Sequence, residues 1–186
     1  MKKRGPWTTL SAQLAYETPW ISVAHHEVID PGGQHGVYGV IHFKNLAVGV
    51  IPLDEELNTW IVGQYRYPME AYSWEIPEGG GSRDLPPVES AKRELREEVG
   101  IEAERWTEVL QMDLSNSASD EQAVIFVARG LTLHAPEPDH DEELEQRKLP
   151  FAELYEMVQR GEVRDSLTVA AVLKVRLMLV EGTLGA

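Results

Sequence analysis

The sequence predicts an α/β or α+β protein in which a small antiparallel sheet precedes a larger domain. Segments of strand composition occupy the start of the chain, and further apolar strand segments alternate with segments whose apolar residues recur at helical spacing. Strands that precede, flank and follow helices indicate helices layered on a sheet. We therefore divide the chain into an N-terminal sheet, residues 1–44, and a main domain, residues 45–186.

Composition and charge exclude several classes of function. The chain has 186 residues, 42% hydrophobic and 26% charged, as in an ordinary globular protein. It contains no Cys, which excludes disulfides, thiolate nucleophiles and Cys-type zinc sites. The formal charge of −14 repels a nucleic-acid backbone, and an anionic substrate would need a mediating cation. No apolar run could serve as a signal peptide or membrane span, so we expect a cytoplasmic protein without a membrane partner.

The N-terminal sheet is predicted from two strand-like segments on either side of a polar turn. Residues 20–29 and 36–43 have strand composition, and the sequence DPGGQ at residues 30–34 separates them. We expect the sheet to span roughly residues 10–44.

Several His and Trp side chains in strand segments receive structural interpretations. His25 and His26 are neighbours on a strand, so their side chains face opposite ways and cannot chelate one ion together. Trp20 and Trp60 are expected in the core rather than as base-stacking platforms.

The main domain is predicted to combine buried strands with three helices. Apolar runs typical of buried strands occupy residues 46–51, 59–65 and 122–128. A Gly/Pro-rich loop at 77–87 leads into a helix that ends at Gly100, because Pro favours the first turn and Gly the position after the last. The other helices cover residues 151–160 and 165–180, the second capped by Asp165 or Ser166.

Three carboxylates on the first helix form the strongest chemical signal. Glu94, Glu97 and Glu98 stand at i, i+3 and i+4, which places them in an arc of ~100° beside the apolar stripe and so at the rim of the core. Like charges at this spacing destabilise a helix unless cations compensate them. Hard oxygen ligands select Mg²⁺ or Mn²⁺. The alternative is a solvated acidic helix face.

The spacing around these carboxylates resembles the Nudix box. Gly79 is followed by five residues, Leu85, seven residues and then RELREEVGI at 93–101, against the family pattern of Gly-x5-Glu-x7-Arg-Glu-apolar-x-Glu-Glu-x-Gly-apolar. Every fixed position matches except Leu85, which replaces the first Glu. This replacement concerns only the contacts that stabilise the loop. The resemblance implies a Nudix α/β/α sandwich with a mixed sheet. It also implies that Glu94, Glu97 and Glu98 are metal ligands and that Arg93 orients a glutamate by ion pairing.

Similarity to the ADP-ribose and nucleoside diphosphate sugar pyrophosphatases extends beyond the box. It rests on QYRYP at 64–68 and WEIPEGG at 74–80. In such enzymes the carbonyl before the box glycine, which is that of Glu78 here, can coordinate a metal. Arg66 is interpreted either as a phosphate or ribose contact or as a surface ion pair, and Glu75 either as a substrate contact or as a structural hydrogen-bonding group. Trp74, beside the loop, is either a base-stacking residue or part of the core.

Two loops complete the candidate site. Asn116 and Ser117 stand where ADP-ribose-selective relatives carry Pro and Gly, which opposes strict selectivity for ADP-ribose. Glu121, at the end of that loop, could approach the metal or the substrate. Glu142 lies in an acidic segment that is otherwise expected to be solvated. Aligned through Pro150, it falls where the family has a metal ligand or catalytic base.

The resemblance predicts hydrolysis of the pyrophosphate bond of nucleoside diphosphate sugars, giving a nucleoside monophosphate and a sugar phosphate. Mg²⁺, with Mn²⁺ as a substitute, would activate water, and no organic cofactor is implied. We assign catalytic roles to Arg93, Glu97 and Glu142, the last as the base. The alternatives are an ADP-ribose pyrophosphatase and a non-catalytic domain that senses nucleotides. The resemblance and the additional N-terminal strands also predict a homodimer.

Overall fold

The computed structural model describes residues 1–136 and 144–184, which form eleven β-strands and three α-helices. They divide into two compact units. The first unit combines Met1–Leu46 with Asp113–Gln122, and the second combines Ala47–Met112 with the chain from Ala123 onward. No helix in these described ranges has both the length and the apolar character that a membrane crossing requires.

The first unit is built on an antiparallel sheet whose strands follow one another in chain order. The strands are β1 (Lys2–Arg4), β2 (Trp7–Glu17), β3 (Ile21–Ile29) and β4 (His35–Phe43). The predicted antiparallel sheet is therefore confirmed, and it begins earlier than residue 10. The predicted polar turn joins β3 to β4, where the Gln34 N–H donates to Asp30 Oδ1 at 2.9 Å and Gly33 has a φ of +85°.

The segment Asp113–Gln122 is held against β4 within this unit. The Ile41 N–H donates to the Ala118 carbonyl at 2.8 Å, and the Asp120 N–H donates to the Ile41 carbonyl at 3.1 Å. The Tyr38 hydroxyl donates to the Ser117 carbonyl at 2.6 Å, and His42 Nδ1 lies 2.7 Å from Asp120 Oδ2. Main-chain and side-chain contacts thus fix the loop that contains residues 115–120.

The outcomes for the His and Trp side chains differ. His26 is 4% exposed whereas His25 is exposed, which confirms that they face opposite ways. Trp60 is 8% exposed, as expected of a core residue. The prediction that Trp20 lies in the core is wrong, because it is 68% exposed. Trp20 belongs to the bend between β2 and β3 rather than to a strand, so no facing sheet covers it.

The second unit contains two sheets. Strands β5 (Leu46–Pro52), β6 (Asn58–Arg66), β7 (Ala71–Glu75), β8 (Glu78–Gly81), β9 (Ile101–Leu114), β10 (Glu121–Leu133) and β11 (Glu145–Pro150) follow one another along the chain. One sheet has the order β8-β5-β10-β9, with β5 and β10 parallel, and the other has the antiparallel order β11-β6-β7. Parallel and antiparallel pairs together make the mixed α/β architecture that the sequence predicts.

The predicted loop at 77–87 is wrong near its start, because Glu78–Gly81 form strand β8. It pairs with β5, and the Val50 N–H donates to the Pro77 carbonyl at 2.9 Å. Three successive glycines contribute no apolar alternation, so the sequence pattern does not indicate a strand here. Leu85, further along the loop, is 55% exposed.

Three helices complete the second unit: α1 (Pro87–Val99), α2 (Phe151–Gln159) and α3 (Ser166–Glu181). Helix α1 ends at Gly100, whose φ of +66° is the left-handed conformation that Gly adopts without strain. Its apolar stripe is in the core, with Ala91 and Leu95 fully buried. Asp165 caps α3, since its Oδ2 accepts the Thr168 N–H at 2.7 Å.

Candidate active site

Helix α1 places two carboxylates in the interior. Glu94 is 8% exposed and Glu98 is 2% exposed, while Glu97 is partly exposed. Glu94 and Glu98 lie one turn apart on the side of the helix that buries Leu95, so the apolar stripe carries them inward. A buried carboxylate is costly unless hydrogen bonds or cations compensate its charge.

Strand β8 contacts both buried carboxylates through its backbone. The Glu78 N–H donates to Glu98 Oε2 at 3.0 Å. A Cβ atom added at Gly79 would lie 2.3 Å from Glu94 Oε1 and 2.4 Å from its carboxyl carbon, closer than atoms can approach. Only Gly at this position allows the Glu94 carboxylate to lie against the strand. Gly79, the first fixed residue of the box pattern, is thus explained by its contact with Glu94 of α1.

Arg93 connects the carboxylates of α1 to β8. Its Nη1 donates to Glu97 Oε2 at 2.6 Å, and its Nη2 donates to Glu94 Oε1 at 2.5 Å and to the Gly80 carbonyl at 2.9 Å. Although partial burial opposes the charged form, the charges of Glu94 and Glu97 raise the pKa of the Arg93 guanidinium. Arg93 therefore forms the ion pairs expected of a residue that orients glutamates.

A second ion pair joins β6 to β7. Arg66 donates from Nε to Glu75 Oε1 at 2.9 Å and from Nη2 to Glu75 Oε2 at 2.5 Å, a bidentate arrangement. The hydrogen bonds to Glu75 raise the pKa of Arg66 despite the opposing effect of burial. Glu75 is 2% exposed and accepts these hydrogen bonds. The structural hydrogen bonding considered for Glu75 and the ion pair considered for Arg66 are therefore both present.

Glu78 extends this ion pair toward the first turn of α3. Its side chain is 11% exposed, and its Oε1 lies 3.4 Å from Arg66 Nη2. Burial, followed by the negative charges of Asp165 and Glu75, raises the pKa of the Glu78 carboxyl well above its usual range. Asp165 was predicted only as a candidate helix cap. Its distance along the chain from Glu75 and Glu78 leaves no local pattern that could reveal this proximity.

Trp74 lies beside Tyr72, with ring centroids 5.7 Å apart in an edge-to-face arrangement. Both rings lie over Gly63, where an added Cβ would be 2.9 Å from the Trp74 ring and 2.4 Å from the Tyr72 hydroxyl. Trp74 is partly exposed.

The remaining predicted residues belong to other parts of the chain. Asn116 is an exposed turn residue of the first unit, and Ser115 before it has a φ of +46°. Glu121, the first residue of β10, also belongs to the first unit, because the boundary between the units divides this strand, and partial burial raises the pKa of its carboxyl. Glu142 lies outside the described residues. Hydrogen bonds and ion pairs do bring Arg66, Glu75 and Glu78 together with Arg93, Glu94, Glu97 and Glu98.

The carboxylates of α1 offer the donor chemistry that a divalent cation requires. Their donor atoms are hard oxygens, the ligands that Mg²⁺ and Mn²⁺ prefer. Two of the three are buried, and Arg93 is shared between Glu94 and Glu97. A cation would compensate the remaining negative charge at the rim of the core.

Comparisons with known families cover most of the chain. The family described as "NUDIX domain" matches residues 43–170. The family described as "Nucleoside diphosphate sugar hydrolase N-terminal domain" matches residues 7–41. The two matches together include strands β2 and β3, most of β4, both buried carboxylates and the start of α3.

Similar proteins were found by sequence and by structure. An ADP-ribose pyrophosphatase of Mycobacterium tuberculosis is 34% identical, with 90% of this chain and 82% of the relative covered. An ADP-ribose pyrophosphatase of Bacillus subtilis is 31% identical over 88% of this chain and 89% of the relative. A crystal structure of an ADP compounds hydrolase superposes with a TM-score of 0.85 over 98% of both chains at 23% identity, a similarity of fold.

Proposed function

The chain belongs to the Nudix hydrolase family, and on that premise we propose that it hydrolyses the pyrophosphate bond of nucleoside diphosphate sugars in the presence of Mg²⁺, with Mn²⁺ as a substitute. The products are a nucleoside monophosphate and a sugar phosphate. One observation carries the proposal: Glu94 and Glu98 are buried beside β8, and Arg93 pairs with Glu94 and Glu97. The N-terminal family match supports the class of substrate.

The proposed mechanism assigns a role to each of these residues. Glu94, Glu97 and Glu98, with the carbonyl of Glu78, would hold the metal, which supplies positive charge to the diphosphate and lowers the pKa of bound water. Arg93 is a positioning residue, since its guanidinium holds two of the carboxylates at 2.5 and 2.6 Å. Glu142 is the candidate base that accepts the proton of the attacking water.

Two alternatives are distinguished by chemistry. An ADP-ribose pyrophosphatase would share the reaction and differ in the ranking of substrates, and the two pyrophosphatase relatives favour it. A non-catalytic nucleotide sensor needs no intact set of metal-binding carboxylates. Buried Glu94 and Glu98 argue against the sensor.

Substrate ranking tests the proposed specificity. Pro fixes φ and Gly permits positive φ, so Asn116 and Ser117 in their place change the path of the loop and add groups that can hydrogen-bond hexose hydroxyls. We expect kcat/KM for at least one hexose nucleotide, such as a GDP- or ADP-linked sugar, to equal or exceed that for ADP-ribose. Nucleoside triphosphates should be poor substrates.

The measurement is a side-by-side set of initial rates with Mg²⁺, using phosphatase-coupled detection of the released phosphomonoesters. A preference of about tenfold or more for ADP-ribose over every hexose nucleotide, or about 1.4 kcal/mol in transition-state binding, would favour the ADP-ribose alternative. Omitting the metal is the matched control, because the proposal requires a divalent cation for turnover with every substrate.

The proposal also includes a homodimer formed with the N-terminal sheet. Short sheets are marginal unless another surface covers them, and Leu14 and Val37 of this sheet are 63% and 60% exposed. We expect light scattering at micromolar concentration to give twice the 20.9 kDa of one chain. A mass of one chain would contradict the proposed dimer and leave the proposed hydrolysis unaffected.

A further inference from the structure

The last turn of helix α1 has backbone carbonyls that the helix itself does not satisfy. The helix ends at Val99, and Gly100 follows with a φ of +66°, so the chain leaves the helical path there. The carbonyl of Glu98 is one of the last four of the helix, which have no helical N–H one turn further on. Because Glu98 is buried, this carbonyl needs a partner from another part of the fold.

A side chain of β11 provides that partner. Gln146 Nε2 donates to the Glu98 carbonyl at 2.6 Å, although the two residues are 48 positions apart in the chain. Gln146 stands opposite Val62 on β6, and Val62 stands opposite Glu75 on β7, so one row crosses the sheet. Residues in such a row face the same side. Gln146 therefore lies on the same face of the sheet as the ion pair of Glu75 with Arg66.

Two different elements hold Glu98 in place. The Glu78 N–H of β8 donates to its carboxylate oxygen Oε2 at 3.0 Å, and Gln146 of β11 donates to its main-chain oxygen at 2.6 Å. The first bond orients the carboxylate, and the second fixes the backbone from which that side chain extends. A metal ligand depends on such outer contacts, because they hold its donor atoms where the ion requires them.

The bond from Gln146 is not needed to end the helix. The Gly100 N–H donates to the Arg96 carbonyl at 3.1 Å, and the Gly100 carbonyl accepts the His134 N–H at 2.7 Å. These backbone bonds already close the helix and attach its end to the chain after β10. The distinct effect of Gln146 therefore falls on Glu98.

We propose that Gln146 is a positioning residue for Glu98, and this proposal rests on the metal-binding role that the proposed function gives to Glu98. The Gln146 amide fixes the backbone while β8 orients the carboxylate, so less conformational freedom is lost when the carboxylate binds the ion. Without the amide the metal binds more weakly, whereas the chemical step at saturating metal changes little. Gln146 lies outside the Nudix box, which ends at Ile101, so the box pattern does not reveal this role.

Mn²⁺ binding without substrate tests this role. Gln146→Met removes the N–H donor and keeps an unbranched side chain of similar length. We expect the dissociation constant for Mn²⁺, measured by electron paramagnetic resonance, to rise about tenfold, the low end of the loss seen when an outer contact of a metal site is removed. With ADP-ribose and saturating Mg²⁺, kcat should stay within about twofold of the wild-type value, because every ligand is retained.

Gln111→Met is the matched control, since Gln111 of β9 is an exposed strand glutamine whose Nε2 donates to Glu108 Oε1 at 2.7 Å. It should leave the dissociation constant for Mn²⁺ unchanged. Thermal unfolding followed by circular dichroism is measured for both variants. If Gln146→Met does not fold, Gln146→Asn, which withdraws the amide by one methylene, is compared with the wild type in the same way.

The outcomes separate this role from the proposed function. A lower midpoint of unfolding with an unchanged dissociation constant for Mn²⁺ would show a merely structural role for Gln146 and overturn the proposal. Wild-type protein that binds Mn²⁺ but hydrolyses neither ADP-ribose nor any nucleoside diphosphate sugar would contradict the proposed function instead. In that case weaker Mn²⁺ binding by Gln146→Met would still support the positioning role.

Discussion

Glu98→Gln is expected to lower kcat by about two to three orders of magnitude while the protein remains folded. The change removes one charge and keeps the size of a side chain that is 2% exposed. The Gln carbonyl can still accept the Glu78 N–H, which now donates to Glu98 at 3.0 Å. Losing a metal ligand, the role proposed for Glu98, removes several kcal/mol of transition-state stabilisation, and each ~1.4 kcal/mol corresponds to a factor of ten.

Steady-state kinetics with a nucleoside diphosphate sugar and saturating Mg²⁺ measure this effect. Glu89→Gln is the matched control, because Glu89 is a half-exposed carboxylate of the same helix that pairs with Lys92 at 2.7 Å. We expect the control to retain wild-type kcat. A kcat for Glu98→Gln close to that of the control would remove Glu98 from the metal site and, with it, the proposed mechanism.

Gly79→Ala is expected to reduce kcat by about a hundredfold through Glu94 rather than through unfolding. The new methyl group would lie 2.3 Å from Glu94 Oε1, so the carboxylate must move by roughly an ångström. Displacement on that scale costs about two orders of magnitude when a catalytic group depends on accurate placement. The apparent affinity for Mg²⁺ should fall in the same variant, because Glu94 is a proposed ligand.

Gly39→Ala provides the comparison for Gly79→Ala. No described atom lies within 4 Å of a Cβ built at Gly39, which is also a strand residue. Both variants add one methyl group to a strand glycine, so a general effect on the backbone should appear in both. Equal activities would show that Glu94 tolerates a different position and would remove the explanation given for Gly79.

The helices were predicted well from the sequence because their signals are local. The end of α1 at Gly100 follows from one residue with a positive φ, and the burial of Leu95 follows from helical spacing. The burial of Glu94 and Glu98 follows from the same spacing, since they lie beside that stripe. The error at Trp20 also has a local cause, because composition alone does not distinguish a strand residue from an aromatic residue in a bend.

The contacts around the helix carboxylates could not be derived from the sequence. Strand β8 has three successive glycines and no apolar alternation, yet it contacts both buried carboxylates. The bidentate partner of Arg66 depends on the register of β6 against β7, which places Arg66 and Glu75 on one face. The approach of Asp165 to Glu78 depends on how α3 packs, and sequence spacing does not report this.

The attachment of residues 115–120 to β4 has an evolutionary consequence. Backbone bonds at Ile41, the Tyr38 hydroxyl and the pair of His42 with Asp120 all hold that loop, so its conformation is inherited together with the N-terminal sheet. A loop exchanged by itself between relatives would lose these contacts with the N-terminal sheet. If residues 115–120 set the substrate ranking, as we propose, we expect an exchange of specificity to require the loop and strand β4 to be transferred together, although some 70 residues separate them in the sequence.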